Sequence, residues 1–185
     1  MTLPANEKVL LHEYREGGFV EVSLPFSTEY AVLLQINGNP YVTMACSGNY
    51  LREHITGYLI TEGMISGPDQ IEKLDIDEAN LTVNAVLMQD RIIAQKLERI
   101  KTISAAGGRT RKNMPAGDLI RDNLPKVSAD VVLRSMKEFL TYSREHEATH
   151  GVHSAALYSL EGERLVFFDE IGRHNAIDKV IGHAA

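Results

Sequence analysis

The stretch from Leu165 to Gly182 constrains the fold more than any other. Leu165-Val166-Phe167-Phe168 reads as a short buried strand, Gly172 makes a turn, and an amphipathic helix follows. Asn175 is placed to cap that helix, with Asp178 three residues on, where a carboxylate reaches back to free backbone N–H groups. Ile177, Val180 and Ile181 form its apolar stripe. A strand leading through a glycine turn into a helix predicts an α/β or α+β protein. Ligands bind at such points because the free N–H groups and the positive end of the helix dipole attract anions. The stretch also gathers Asp169, Glu170, Arg173, His174, Asn175, Asp178 and Lys179. Two readings stay open. In one, Arg173 and His174 present donors to an anionic ligand; in the other, Asp178 only caps its helix and Arg173 pairs with Asp169 or Glu170.

The preceding chain alternates strands and helices. Residues 19–25 alternate like a half-buried strand, and Tyr30 to Ile36 suits a central one. Asn37-Gly38 is a hairpin turn signal with Tyr41 to Met44 as its return strand. A helix from about Tyr50 to Glu62 carries Leu51, Ile55, Tyr58 and Leu59 on one face, and Gly63 ends it. Ile71 to Ile76 and Leu81 to Leu87 read as two strands around a turn at 77–80. Residues 91–100 fit a strand or a short helix equally. Residues 104–112, with two glycines and Arg109, Arg111 and Lys112, predict a mobile basic loop. After a break at Asn123 to Pro125, Ser128-Ala129-Asp130 opens a helix from about Val131 to Arg144, with Val132, Met136, Phe139 and Leu140 as its buried stripe. Ala155 to Leu160 is a strand, and Glu161-Gly162-Glu163 turns it into the strand of the opening paragraph. The expected organisation is a strand and helix part over 1–103, the basic loop over 104–124, and a C-terminal part over 125–185.

A net charge of −6 argues against wholesale nucleic-acid binding, so any basic function is local. The single cysteine, Cys46, excludes internal disulfides and Cys-rich metal sites within the sequence. Cys46 falls between a strand and a helix, where a helix amino end would lower its pKa; the other reading is a small residue filling space. His153 is either a hydrogen-bonded histidine at a strand start or a group facing a cavity beside His174. No run approaches the ~20 apolar residues of a membrane span. Met1 to Glu7 lack the charged start and apolar core of a signal peptide, so a cytoplasmic location is expected.

Gly172-Arg173-His174-Asn175-Ala176-Ile177-Asp178-Lys179 resembles the signature of the formate dehydrogenase accessory sulfurtransferase family, FdhD. The block from Ile36-Asn37-Gly38 to Thr61-Glu62-Gly63-Met64-Ile65, and His150-Gly151-Val152-His153-Ser154-Ala155-Ala156, resemble it as well. The resemblance implies a cytidine-deaminase-like three-layer C-terminal part, here cut short at Ala185, behind an N-terminal β-hairpin and helix subdomain. It implies a cytoplasmic maturation factor, a homodimer, that takes sulfur from a cysteine desulfurase. The sulfur passes to the guanine-dinucleotide form of the molybdenum cofactor, destined for formate dehydrogenase. His153, Arg173, His174, Asn175, Lys179 and Arg109 would then bind or shape the cofactor site, while Asp178 orders these donors. In the family the 104–112 loop carries the persulfide cysteine. The Gly107-Gly108 match puts that position at Ala106, whose methyl group offers no thiolate. A natural non-transferring homologue, a Cys-to-Ala change and a thiol relocated to Cys46 are the three explanations. The alternative function is a non-catalytic chaperone that binds the cofactor or a partner; a weaker third is a generic guanine-nucleotide module. Zinc-dependent deamination is excluded, because His153-Ser154 is followed by Ala155 where that chemistry needs Glu, and no Cys pair exists.

Overall fold

The computed structural model describes residues 3–88 and 125–185. The predicted features at 91–100, 104–112 and most of the 123–125 break, including Ala106 and Arg109, lie outside them. The protein is α+β. Strands β1 (Asn6–Arg15) and β2 (Gly18–Ser27) form a hairpin; β3 (Tyr30–Ile36), β4 (Asn39–Cys46), β5 (Ile71–Asp77) and β6 (Thr82–Leu87) form a second sheet; β7 (His153–Tyr158) and β8 (Arg164–Glu170) form a third. Among the described residues the helices are α1 (Leu51–Thr61), α2 (Ala129–Tyr142), α3 (Arg144–Thr149) and α4 (Arg173–Ala184).

The four-stranded sheet has the order β4-β3-β6-β5, with β3 and β6 parallel and the outer pairs antiparallel. Alternate residues of β3, namely Val32, Leu34 and Ile36, are completely buried. With Val83, Ala85 and Leu87 of β6 they form one apolar face, and α1 lays Leu51, Ile55 and Leu59 on it. The hairpin between β3 and β4 turns on Asn37 and Gly38, both at positive φ (51° and 77°). That is the twist a two-residue hairpin requires. The Asn37 side chain also accepts a hydrogen bond from the Leu87 N–H at 2.8 Å, tying the turn to β6. At the end of α1, Gly63 adopts φ 66° and the Met64 N–H bonds back to the Leu59 carbonyl.

The β7–β8 pair lies between helices. Phe167 turns one way, its ring 4.7 Å from Tyr142 and 5.7 Å from Phe139 of α2. Phe168 turns the other way, toward Tyr50 at 4.9 Å and His183 of α4 at 6.0 Å. A helix thus covers each face of two strands; a likeness to cytidine deaminases is not established by so small a sheet.

Three expectations are corrected. Strand β1, not foreseen, pairs along its whole length with β2, and Phe19, Val20 and Leu24 stay exposed. The predicted stripe of α2 is not buried: Val132, Met136 and Leu140 are exposed, because the helix meets the sheet along the line of Val131, Ser135 and Phe139. In α4, Ile177 is exposed and the buried side chains are Ala176, Asp178 and Lys179. Two charged residues thus enter the protein beside Ala176, while Val180 and Ile181 are half-buried.

Helices α1 and α4 cross at backbone contact. A Cβ on Gly57 would lie 1.7 Å from the Asp178 carbonyl oxygen, and one on Gly182 would lie 2.0 Å from that of Glu53. No side chain fits. Gly57→Ala should therefore force the helices apart and lose about 3 kcal/mol or more. Gly38→Ala should lose only about 1–2 kcal/mol from its positive φ, since open space surrounds it. Urea unfolding of the two variants checks the difference; equal losses would show that the crossing tolerates a methyl group.

Candidate functional site

The site forms where β8 ends. Glu170, its last residue, is completely buried, and so is Lys179, nine residues further on. The Lys179 Nζ lies 2.5 Å from Glu170 Oε2. Neither charge could be buried alone. Ser47, in the turn between β4 and α1, completes the group. Its N–H donates to Glu170 Oε1 at 2.7 Å and its hydroxyl donates to Oε2 at 2.7 Å. Lys179 Nζ donates to Ser47 Oγ at 2.9 Å. Burial pushes the Glu170 carboxyl up, but the Lys179 charge and hydrogen bond, the Ser47 hydrogen bond and the charge of His54 outweigh it. The carboxyl is held below the usual range.

Further contacts hold α4 in the same pose. The Thr61 hydroxyl of α1 donates to Asp178 Oδ1 at 2.9 Å, with Asp178 fully buried. The Asn175 amide donates to the carbonyl of Ala45, on β4, at 2.8 Å. These replace the predicted capping: the helix begins at Arg173, its cap is Gly172 with no side-chain bond, and neither Asn175 nor Asp178 caps it. Their polar atoms reach other elements because the helix is capped three residues earlier than the pattern suggested.

Arg173 and His174 occupy the first turn of α4 and are exposed. Both neighbouring carboxylates are engaged elsewhere. Asp169 accepts from Ser143 at 2.8 Å and from Ser154 at 2.6 Å, and Glu170 is held by Lys179 and Ser47. Pairing of Arg173 with Asp169 or Glu170 is therefore not what the fold does. The turn presents a guanidinium, an imidazole and free backbone N–H groups, a donor set suited to phosphate.

The other sequence-derived candidates divide. His153 opens β7 opposite Glu170 in the ladder, with an exposed side chain, so it stands at the same end of the sheet. Lys179 belongs to the same helix but its ammonium is committed inside the protein. Cys46 is the last residue of β4, completely buried, and its thiol is pushed up to about 11, chiefly by burial. The expectation of a lowered pKa fails because α1 begins at Leu51, five residues away, and apolar neighbours surround the sulfur. Sequence reasoning missed Ser47, which no pattern marks. It also missed Gly57, where an isolated glycine inside a helix was the available signal of close packing.

Fold and site together define an α+β protein whose buried ion pair supports a basic helix end suited to anions. Comparison with known proteins sharpens this. The FdhD/NarQ family model matches residues 27–185, and the chain belongs to that family. It is 28% identical over 190 residues to the sulfur carrier protein FdhD of Listeria monocytogenes serotype 4b, covering all of this chain and 72% of that protein. It is 30% identical over 174 residues to the sulfur carrier protein FdhD of Bacillus subtilis, covering 92% of this chain and 66% of that one. A crystal structure described as a formate dehydrogenase accessory protein from Desulfotalea psychrophila superposes with a TM-score of 0.70 at 19% identity, covering 97% of this chain and 66% of that one. Among the described residues no helix is long and apolar enough to cross a membrane.

Removing one member of the buried pair should be far worse than removing both. Lys179→Met should lose about 3–5 kcal/mol, and Glu170→Gln combined with Lys179→Met should recover most of it. The pair's contribution has a defined pH window. Because the folded Glu170 carboxyl titrates below its ordinary 4.5, the contribution is complete above that value and is lost as pH falls through the lower folded one. Urea midpoints from neutral to acid pH should show this extra acid lability in the parent and not in the double variant. The same slope in both would remove Glu170 as its source.

Proposed function

We propose that the protein is a formate dehydrogenase maturation factor that holds the guanine-dinucleotide form of the molybdenum cofactor as cargo, by its phosphates, at the amino end of α4. The observation that carries this reading is the exposure of Arg173 and His174 on a helix end where both adjacent carboxylates are engaged by other partners. A cation with no internal counter-ion among the described residues is available to an external one. The family, and relatives that are named sulfur carrier proteins or accessory to formate dehydrogenase, support the same reading. Formate dehydrogenase is then the recipient and a cysteine desulfurase the sulfur source. A cytoplasmic homodimer belongs to the same proposal. In this scheme His153 flanks the cargo, Asn175 and Asp178 orient the donor turn, and Lys179 supports it from beneath. Arg109, in the basic segment, is a further cofactor contact.

Sulfur carriage is the second reading, favoured by the names of the relatives. It requires a thiolate, and the only cysteine of the sequence, Cys46, is buried with a raised pKa. The proposal is therefore cofactor holding without persulfide formation on this chain.

Two measurements test it. Calorimetric titration with GDP should show binding that weakens with added salt and falls at least about tenfold in Arg173→Ala, as expected for a charged hydrogen bond of about 1.5–3 kcal/mol. Unchanged affinity in that variant would move the site elsewhere. Intact-mass analysis after incubation with a cysteine desulfurase and cysteine should show no reducible gain of one sulfur atom on the parent, and a gain on Ala106→Cys. A gain on the parent, lost in Cys46→Ser, would restore the sulfur-carrier reading.

A further inference from the structure

Tyr50 is the unexplained residue of the site region. It precedes α1 with φ 54° and ψ 44°, in the left-handed region. Bulky side chains rarely adopt that backbone; glycine or asparagine fits it more cheaply. The sequence offers both immediately before it, Gly48 and Asn49, yet a tyrosine holds the position. The residue is 61% exposed. It is also fixed from beneath. Phe168 meets it edge to face at a centroid distance of 4.9 Å, and the Lys179 Nζ lies 5.9 Å from its centroid. The result is a supported aromatic surface open to solvent.

Its place relative to the donor turn follows from the Ser47–Glu170 contact, 2.7 Å between hydroxyl and carboxylate. Tyr50 is three residues beyond Ser47, and Arg173 three residues beyond Glu170. Three residues span at most about 10 Å of chain, so the backbones of Tyr50 and Arg173 both lie within about 10 Å of that contact. Lys179, under the ring, is six residues from Arg173 on the same helix, about 9 Å along its axis. A nucleoside diphosphate has its base and its phosphates separated by a comparable length.

We propose that Tyr50 is the stacking platform for the base of a nucleotide whose phosphates lie at the amino end of α4. The inference rests on the phosphate site proposed above and adds what that site lacks, a surface for the aromatic half of the ligand. Stacking needs a flat ring held in place, and the left-handed backbone with Phe168 behind it supplies that. Base–aromatic stacking is strong enough to be read as a change in affinity.

The test uses GDP and inorganic pyrophosphate as separate probes, by calorimetry, with thermal melting alongside. Tyr50→Gly and Tyr50→Asn relieve the backbone while deleting the ring. Both should melt within a few degrees of the parent, bind pyrophosphate as the parent does, and bind GDP at least about fivefold more weakly. Tyr50→Phe should bind both probes as the parent does. Three results overturn the proposal in distinguishable ways. GDP binding unchanged in Tyr50→Gly removes the platform and leaves the phosphate site standing. Parallel loss of GDP, pyrophosphate and melting temperature makes Tyr50 a packing residue. A parent that binds neither probe removes the phosphate site, and the platform with it.

Discussion

The ion pair between Glu170 and Lys179 is the constraint on which the site depends. Both groups are wholly withdrawn from water, and burial of either charge alone would be prohibitive. The pair can form only if the end of β8 and the second turn of α4 meet the turn after β4. Residues 47, 170 and 179 must therefore be in place together. Such a group contributes less to net stability than its short distances suggest, because desolvation offsets much of the attraction. What it contributes is selectivity among packings: a fold that misplaced α4 by one turn would bury two unpaired charges.

Close approach of the helices makes the arrangement possible. Lys179 reaches Ser47 because α4 lies hard against α1, and it lies there because Gly57 and Gly182 leave backbone facing backbone. The Thr61–Asp178 hydrogen bond closes the same contact from the other side. Helix α4 is therefore anchored along the face that carries Asn175, Asp178, Lys179 and Gly182, while Arg173 and His174 project from its free end. A donor turn held this way loses little freedom on meeting a ligand, which is the general advantage of preorganisation.

How far the sequence could be read depended on the range of the forces involved. Strand β3, the Asn37-Gly38 turn, α1 and its Gly63 stop were legible because each is set by local patterning and by turn residues with positive φ. Helix α4 was legible as a helix but not in its orientation. Its apolar stripe pointed to Ile177, whereas the structure exposes Ile177 and buries Asp178 and Lys179. Hydrophobic periodicity assumes that charge faces water, and it misassigns a face wherever a charge is paired inside. The stripe of α2 failed for a related reason, since a two-stranded sheet covers only part of a helix face. Of the two readings of Cys46, burial supports the space-filling one over the reactive one.

The eight-residue signature thus separates into two kinds of residue by what each side chain can reach. Asp178 and Lys179 spend their polar atoms on Thr61, Glu170 and Ser47 inside the protein, and Asn175 spends its amide on the Ala45 carbonyl near the surface. Arg173 and His174 spend theirs on nothing identified among the described residues and face water. A motif conceived as one ligand-binding string would place five polar groups around a ligand; the packing leaves only its leading residues facing outward. In a chain with a net charge of −6, the attraction proposed for an anion at this helix end is local. On the proposed reading the buried pair acts on binding indirectly, by engaging the carboxylate nearest to Arg173 in sequence.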